Sequence, residues 1–112
     1  MFKKKNSFEK RLKESSNIRQ TYPDRIPVIC ERKDKRIPEL DKKKYLVPFD
    51  LTMGQFSFII RRRLRLSPEK AIFFHFRETL VPLSTSMNFL YDKCSDEDGF
   101  LYVLYSGENV FG

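Results

Sequence analysis

The apolar residues of this chain change period several times, and each change marks an element. Phe8, Leu12, Ile18 and Tyr22 recur near helical spacing, which predicts an amphipathic helix over residues 8–22 with Ser7 as its N-cap. Pro23 stops it, because the residue before a proline is pushed out of the helical region. A shorter helical turn is expected ahead of it, around residues 2–5. Arg25–Arg32 then alternates: Ile26, Val28 and Cys30 share one face, Pro27 and Ile29 the other. Apolar residues on both faces predict a strand covered on both sides. Pro27 has no amide hydrogen and belongs near the strand's start. Residues 33–43 are polar, hold Pro38 and read as a loop. Residues 44–49 read as a second strand ended by Pro48, and two strands joined this way predict a hairpin.

The helical period returns over residues 53–65, with Asp50 or Thr52 as cap and Met53, Phe56, Ile59, Ile60 and Leu64 as the apolar stripe. Arg61, Arg62, Arg63 and Arg65 crowd its last turns, where the helix dipole favours cations. Ser67-Pro68 ends it. Residues 71–77 read as a third strand, with Ile72, Phe74 and Phe76 on one face and Phe73 and His75 on the other. A short helix over 86–93 carries Met87, Leu90 and Tyr91. Residues 96–99 are expected to form a solvated acidic turn. In residues 100–105, Phe100, Tyr102 and Leu104 face one way, and Leu101, Val103 and Tyr105 the other, as in a central strand buried on both faces. A hairpin, a crossing helix and a late central strand describe an α+β fold of the β-grasp kind. The front helix must then cover the sheet face that the crossing helix leaves bare.

Composition narrows the function. A chain of 112 residues with 40% hydrophobic content is long enough for one folded domain. Its net charge of +7 is uneven: residues 1–65 hold 19 Lys/Arg against 8 Asp/Glu, and residues 66–112 hold 3 against 7. A basic front half attracts nucleic acid, acidic membrane surfaces or acidic protein segments. No apolar run approaches the roughly 18 residues of a membrane helix. The basic start has no apolar stretch behind it, which argues against a secretory signal. Cys30 and Cys94 suit neither a disulfide framework nor a metal site, so a reducing, cytoplasmic setting is expected. Cys30 reads as a buried small hydrophobe and the single histidine, His75, as structural. Cys94 has no histidine near it in sequence, Asp92, Asp96, Glu97 and Asp98 do not follow the order of a calcium loop, and no glycine-rich phosphate loop occurs. No catalytic residue, metal or cofactor is therefore expected.

Several blocks carry a resemblance. They are Phe8-Glu9-Lys10-Arg11, Tyr22-Pro23-Asp24-Arg25-Ile26-Pro27-Val28-Ile29, Asp41-Lys42-Lys43-Lys44-Tyr45-Leu46-Val47-Pro48, Asp50-Leu51-Thr52-Met53-Gly54-Gln55-Phe56 and the ending Phe111-Gly112. Together, over essentially the whole chain, they resemble the autophagy ubiquitin-like modifiers, nearer the GABA-receptor-associated-protein branch. The resemblance implies an N-terminal helical extension over residues 1–24 and a ubiquitin-like domain over 25–112, as one structural unit. It implies conjugation of Gly112 to phosphatidylethanolamine, with autophagosome formation and recruitment of receptors on the membrane. Activating and conjugating enzymes and a processing or delipidating cysteine protease are the implied enzyme partners. The chemistry of the end agrees: a terminal glycine threads a narrow channel where a Cβ would clash. The chain given ends at Gly112, so it reads as either made ready for conjugation or shown after processing. At position 75 the family is usually apolar, and His75 departs from it.

The second strand is the candidate open edge, and an exposed edge accepts an added strand. By the resemblance, an aromatic pocket is lined by Glu14, Ile18, Pro27, Lys44, Leu46 and Phe100. An aliphatic pocket is lined by Tyr45, Val47, Pro48, Leu51, Phe56 and Ile59, and Lys42, Lys43 and Arg63 contact ligand charge. Leu46, Phe56 and Ile59 read equally as core residues. The implied partners are cargo and adaptor proteins carrying an aromatic-x-x-aliphatic motif, with tubulin compatible with the basic N-terminal segment. The competing readings are a basic nucleic-acid- or cytoskeleton-binding module, which leaves Phe111-Gly112 unexplained, and an enzyme, which lacks a nucleophile–base pair.

Overall fold

The computed structural model describes residues 1–108, so the predicted conjugation residue Gly112 lies outside the described residues. The elements are α1 (Phe2–Lys5), α2 (Phe8–Thr21), β1 (Arg25–Arg32), β2 (Lys44–Pro48), α3 (Met53–Leu64), β3 (Phe73–Phe76), β4 (Thr79–Leu80), α4 (Met87–Cys94) and β5 (Leu101–Ser106). The five strands form one sheet in the order β2-β1-β5-β3-β4. β1 runs parallel to β5, and the other neighbours are antiparallel. This is the expected α+β β-grasp, with the most apolar strand, β5, at its centre.

The core lies between the sheet and α3. Thr52 starts α3 with a reciprocal cap: its side chain accepts from the Gln55 amide, and Gln55 Oε1 accepts from the Thr52 amide at 2.9 Å. The helix buries Met53, Phe56, Ser57 and Ile60, and ends where Arg65 turns left-handed at φ 56°. Phe56 packs edge-on against Tyr45 at 5.7 Å and against Phe74 at 6.1 Å between ring centroids. Leu101, Val103 and Tyr105 of β5 complete this layer, wholly buried. Ile59, read as part of the stripe, is 38% exposed, because it lies at the edge of the buried arc.

Pro27 fits inside an interior strand because of register. It pairs with Leu46, and β1 joins the β5 ladder only from Val28, so its missing amide leaves no ladder bond unmade.

Four expectations need correction. The stripe assigned to α2 does not dock it: Phe8, Leu12 and Tyr22 are exposed, Ile18 is half-buried, and the buried residue of the helix is Ser15. The turn over 96–99 is not solvated throughout, since Asp98 is fully buried. The third strand spans only Phe73–Phe76, and a further short strand, β4, follows after Arg77 turns left-handed at φ 57°. The polar loop over 33–43 contributes Ile37 and Leu40 to the core, and Tyr105 donates to the Pro38 carbonyl at 2.7 Å.

Asp98 explains the first two corrections together. Its Oδ2 accepts from Arg11 Nη1 and from the Tyr102 hydroxyl, both at 2.5 Å, and its Oδ1 accepts from the Phe100 amide at 2.9 Å. Ser15 donates to the Asp98 carbonyl at 2.5 Å. The next residue, Gly99, has φ +88°, and a Cβ there would stand 2.3 Å from Ser15 Oγ. Arg11 and Ser15, one helical turn apart, therefore dock α2 by hydrogen bonds onto the entry of β5. A buried carboxylate is tolerated because its oxygens are satisfied.

Candidate peptide-binding site

β2 lies at one end of the sheet, with β1 on one side and no strand on the other among the described residues. Its hydrogen-bond parity follows from two bonds. Phe49 N donates to Asp24 O at 3.1 Å, and Cys30 N donates to Lys43 O at 2.8 Å. Antiparallel neighbours alternate between bonded and non-bonded pairs. In this register positions 43, 45, 47 and 49 bond to β1, so the N–H and C=O groups of Lys44 and Leu46 point to the open edge. The Arg25 guanidinium reaches the Leu46 carbonyl at 3.4 Å. The edge thus offers two donors and two acceptors at alternate positions, the pattern an added strand completes.

On the α2 side of this edge lies a cavity of about 490 Å³. Glu14, Ile18 and Lys44 line it, as do Phe2, Lys10 and Lys13. Lys44 pairs with Glu14, bridging β2 to α2 at the rim. The remaining members of the predicted aromatic pocket do not line this cavity: Pro27 and Phe100 are buried, and Leu46 is half-buried. The missing wall is Phe2. Its ring packs edge-on against Phe100 at 5.3 Å, and Lys44 Nζ lies 5.9 Å from its centroid. The aromatic ring presented to the cavity is therefore that of Phe2. Nothing in its local sequence signals this, because the contact joins residues 98 positions apart.

The predicted aliphatic pocket divides by depth. Tyr45, Val47 and Phe56 are buried in the core layer, and Leu51 is half-buried. Pro48 and Ile59 are exposed. Buried residues can serve as a floor, and the exposed pair as a rim. Burial pushes the Tyr45 hydroxyl above its ordinary value, and this hydroxyl donates to the Lys42 carbonyl at 2.7 Å.

The three predicted charge contacts already have partners within the molecule. Arg63 donates to both oxygens of Asp41, at 3.2 and 3.1 Å. Lys43 Nζ stands 3.9 Å from Glu31, and Lys42 Nζ lies 5.2 Å from the Tyr45 ring centroid. Arg63 and Asp41 are exposed, and exposed pairs contribute only about 0–1 kcal/mol, so a ligand carboxylate can displace Asp41 at little cost.

Comparison with known proteins bears on all of this. A family model described as "Autophagy protein Atg8 ubiquitin like" matches residues 10–112. The chain belongs to the Atg8 family. It is 60% identical over 112 residues to the Autophagy-related protein 8 of Mycosarcoma maydis, covering 99% of this chain and 95% of that protein. The Autophagy-related protein 8 of Schizosaccharomyces pombe is also 60% identical, with 99% and 93% covered. A crystal structure of Trypanosoma brucei ATG8 shares the fold with a TM-score of 0.92 at 46% identity, covering 99% of this chain and 97% of that one. The chain is accordingly an autophagy-related, ubiquitin-like protein. In this Atg8-family chain the residues that sequence reasoning missed are Phe2, as a cavity wall, and the Arg11–Asp98 pair, which sets where α2 sits beside β2. No helix among the described residues is long and apolar enough to cross a membrane.

Proposed function

We propose that this chain is a ubiquitin-like modifier conjugated through Gly112 to phosphatidylethanolamine, and an adaptor that recruits proteins carrying an aromatic-x-x-aliphatic motif to the autophagosomal membrane. Residues 1–24 act as a helical extension that completes the peptide site, and residues 25–112 as the ubiquitin-like domain with its conjugation tail. The observation that carries the reading is the edge of β2, with outward main-chain groups at Lys44 and Leu46 beside a cavity rimmed by cations. The ligand backbone pairs with these groups, its aromatic side chain enters the cavity beside Phe2 and Ile18, and its aliphatic side chain rests over Leu51 and Ile59.

Two buried apolar anchors contribute roughly 1.5–3 kcal/mol each, and the paired main-chain groups and the rim charges add to them.

In conjugation the protein is the substrate and not the catalyst. An activating and a conjugating enzyme carry Gly112 as a thioester on a cysteine. The lipid amine attacks the thioester carbonyl, the C–N bond forms, the C–S bond breaks, and the thiol leaves with the amine's proton. A cysteine protease reverses the link by hydrolysis. The direct test of the adaptor half is a calorimetric titration with an acidic peptide carrying Trp-x-x-Leu, beside its double-alanine control. Saturable micromolar binding lost in the control is expected. No binding by the folded protein would overturn the reading and bring forward a basic surface for nucleic acid.

A further inference from the structure

A buried polar chain remains that neither the peptide edge nor the apolar core uses. His75, on β3, has none of its surface exposed. Its Nε2 lies 2.8 Å from Ser106 Oγ on β5, and the Ser106 hydroxyl donates to the Glu108 carbonyl at 2.8 Å. A hydroxyl has one proton to give. With that proton directed at Glu108, Ser106 Oγ accepts from His75, which assigns the imidazole proton to Nε2. Nδ1 is then a bare acceptor, buried and without a hydrogen-bond partner among the described residues. The chain therefore has a direction: His75 donates to Ser106, and Ser106 donates to Glu108.

Glu108 is held a second time. Arg36, on the loop after β1, donates to its carboxylate at 2.7 Å. The last described residue is thus held at its carbonyl from β5 and touched at its side chain, through an exposed ion pair, by a separate loop. Only four peptide steps separate it from Gly112, a reach of at most about 14 Å. Anchoring Glu108 therefore bounds how far Gly112 can lie from the end of β5.

We propose that His75 and Ser106 are positioning residues for the conjugation tail, aiming the chain beyond Glu108 so that Gly112 is presented to the enzymes that activate and transfer it. The proposal rests on Gly112 being the conjugated residue. A histidine that served only to fill space would need burial alone. This one also needs its proton on Nε2, where a phenylalanine in its place would offer no donor. Protonation of Nδ1 would bury a second N–H and a charge. Burial, and then the nearby Lys33 ammonium, lower the histidine's proton affinity against the weaker pull of Glu78, which keeps the neutral donor form.

The test uses the full chain ending at Gly112 and the variants S106A, H75F and H75Q, the last placing an amide N–H near the position of Nε2. The first readout is the carbonyl carbon shift of Glu108, which moves downfield when the carbonyl accepts a hydrogen bond. S106A should move it upfield by removing the donor, and H75F in the same direction by a smaller amount, by removing the donation that polarises the Ser106 hydroxyl, while leaving the shifts of α3 unchanged. H75Q should restore it at least in part. S106A keeps the test open if H75F fails to fold. The second readout is thioester formation with activating enzyme, where the same variants should raise KM severalfold and leave kcat unchanged. Equal Glu108 carbonyl shifts in wild type, S106A and H75F would overturn the relay, even with normal conjugation of all three. Absence of any thioester with wild type would overturn the conjugation reading and the presenting role with it, while the shift data would still decide whether the relay holds Glu108.

Discussion

Two helices cover the two faces of this sheet, and they hold to it by different physics. α3 buries Met53, Phe56 and Ile60 against Tyr45 and Phe74, a docking by area and shape. α2 leaves Phe8 and Leu12 exposed and docks through Arg11 and Ser15 onto Asp98 and Gly99. The difference matters for function. An apolar seam seals the space beneath a helix. A helix held at a few polar points leaves its flank open, and beside α2 that opening is the cavity against β2. The position of this cavity thus depends on hydrogen bonds at the entry of β5.

Predictions that bear on this contrast can be ranked. Phe56→Ala, on the α3 side, should cost about 4 kcal/mol of unfolding free energy, within the range for truncating a buried aromatic, read by denaturant titration. Asp98→Ala should cost about 3 kcal/mol although it removes no apolar contact, because it strips an acceptor from three donors and leaves a cation unpaired. It should also weaken peptide binding, which Phe56→Ala at an equal fraction folded should affect less. A near-neutral Asp98→Ala would remove the contrast. Gly99→Ala should cost about 1–3 kcal/mol, from a left-handed backbone and a Cβ pressed onto Ser15. Leu12→Gln should change stability by no more than about 0.5 kcal/mol, despite Leu12 standing in the periodic stripe.

A pH dependence sharpens the same point at the His75–Ser106 pair. The proton affinity of His75 in the folded protein lies below the ordinary histidine value of 6.5, so the unfolded chain binds the proton more readily. Its contribution to stability is complete above pH 6.5 and is lost as pH falls through that value toward the folded one. Denaturant midpoints at pH 7.5 and 5.5 should therefore differ more for wild type than for H75F. Lys33 and Glu78, which pair at 3.7 Å near the histidine, are present in both wild type and H75F, so their own contribution cancels in the comparison.

The apolar pattern made most of the fold legible. Strand alternation identified β1 as covered on both faces, and the Thr52 cap and the stripe from Met53 to Ile60 located α3; β5 is central as expected but is fully buried only on the Leu101, Val103 and Tyr105 face, Tyr102 and Leu104 on the other being half-buried. These signals are local and each repeats within one element. What failed was long-range and polar. Arg11 and Asp98 are 87 positions apart, and a charged residue in an acidic turn is ordinarily solvated, so the turn was read as solvated and its pairing with Arg11 had no local signal. Phe2 and Phe100 meet only after α1 folds back across the sheet, so the cavity wall was invisible for the same reason. β4 is two residues long and depends on the left-handed Arg77, a conformation that sequence seldom signals outside glycine and asparagine. The edge strand itself was legible in its residues, and the register now assigns which of its amides face outward.

That assignment allows the most direct test of the account, amide hydrogen exchange across β2 with and without an acidic Trp-x-x-Leu peptide. The Tyr45 and Val47 amides already bond to β1 and should be protected in both states. The Lys44 and Leu46 amides should exchange freely in the unbound protein and become protected on binding, as an added strand requires. Saturable binding that leaves Lys44 and Leu46 as open as before would contradict strand addition at this edge.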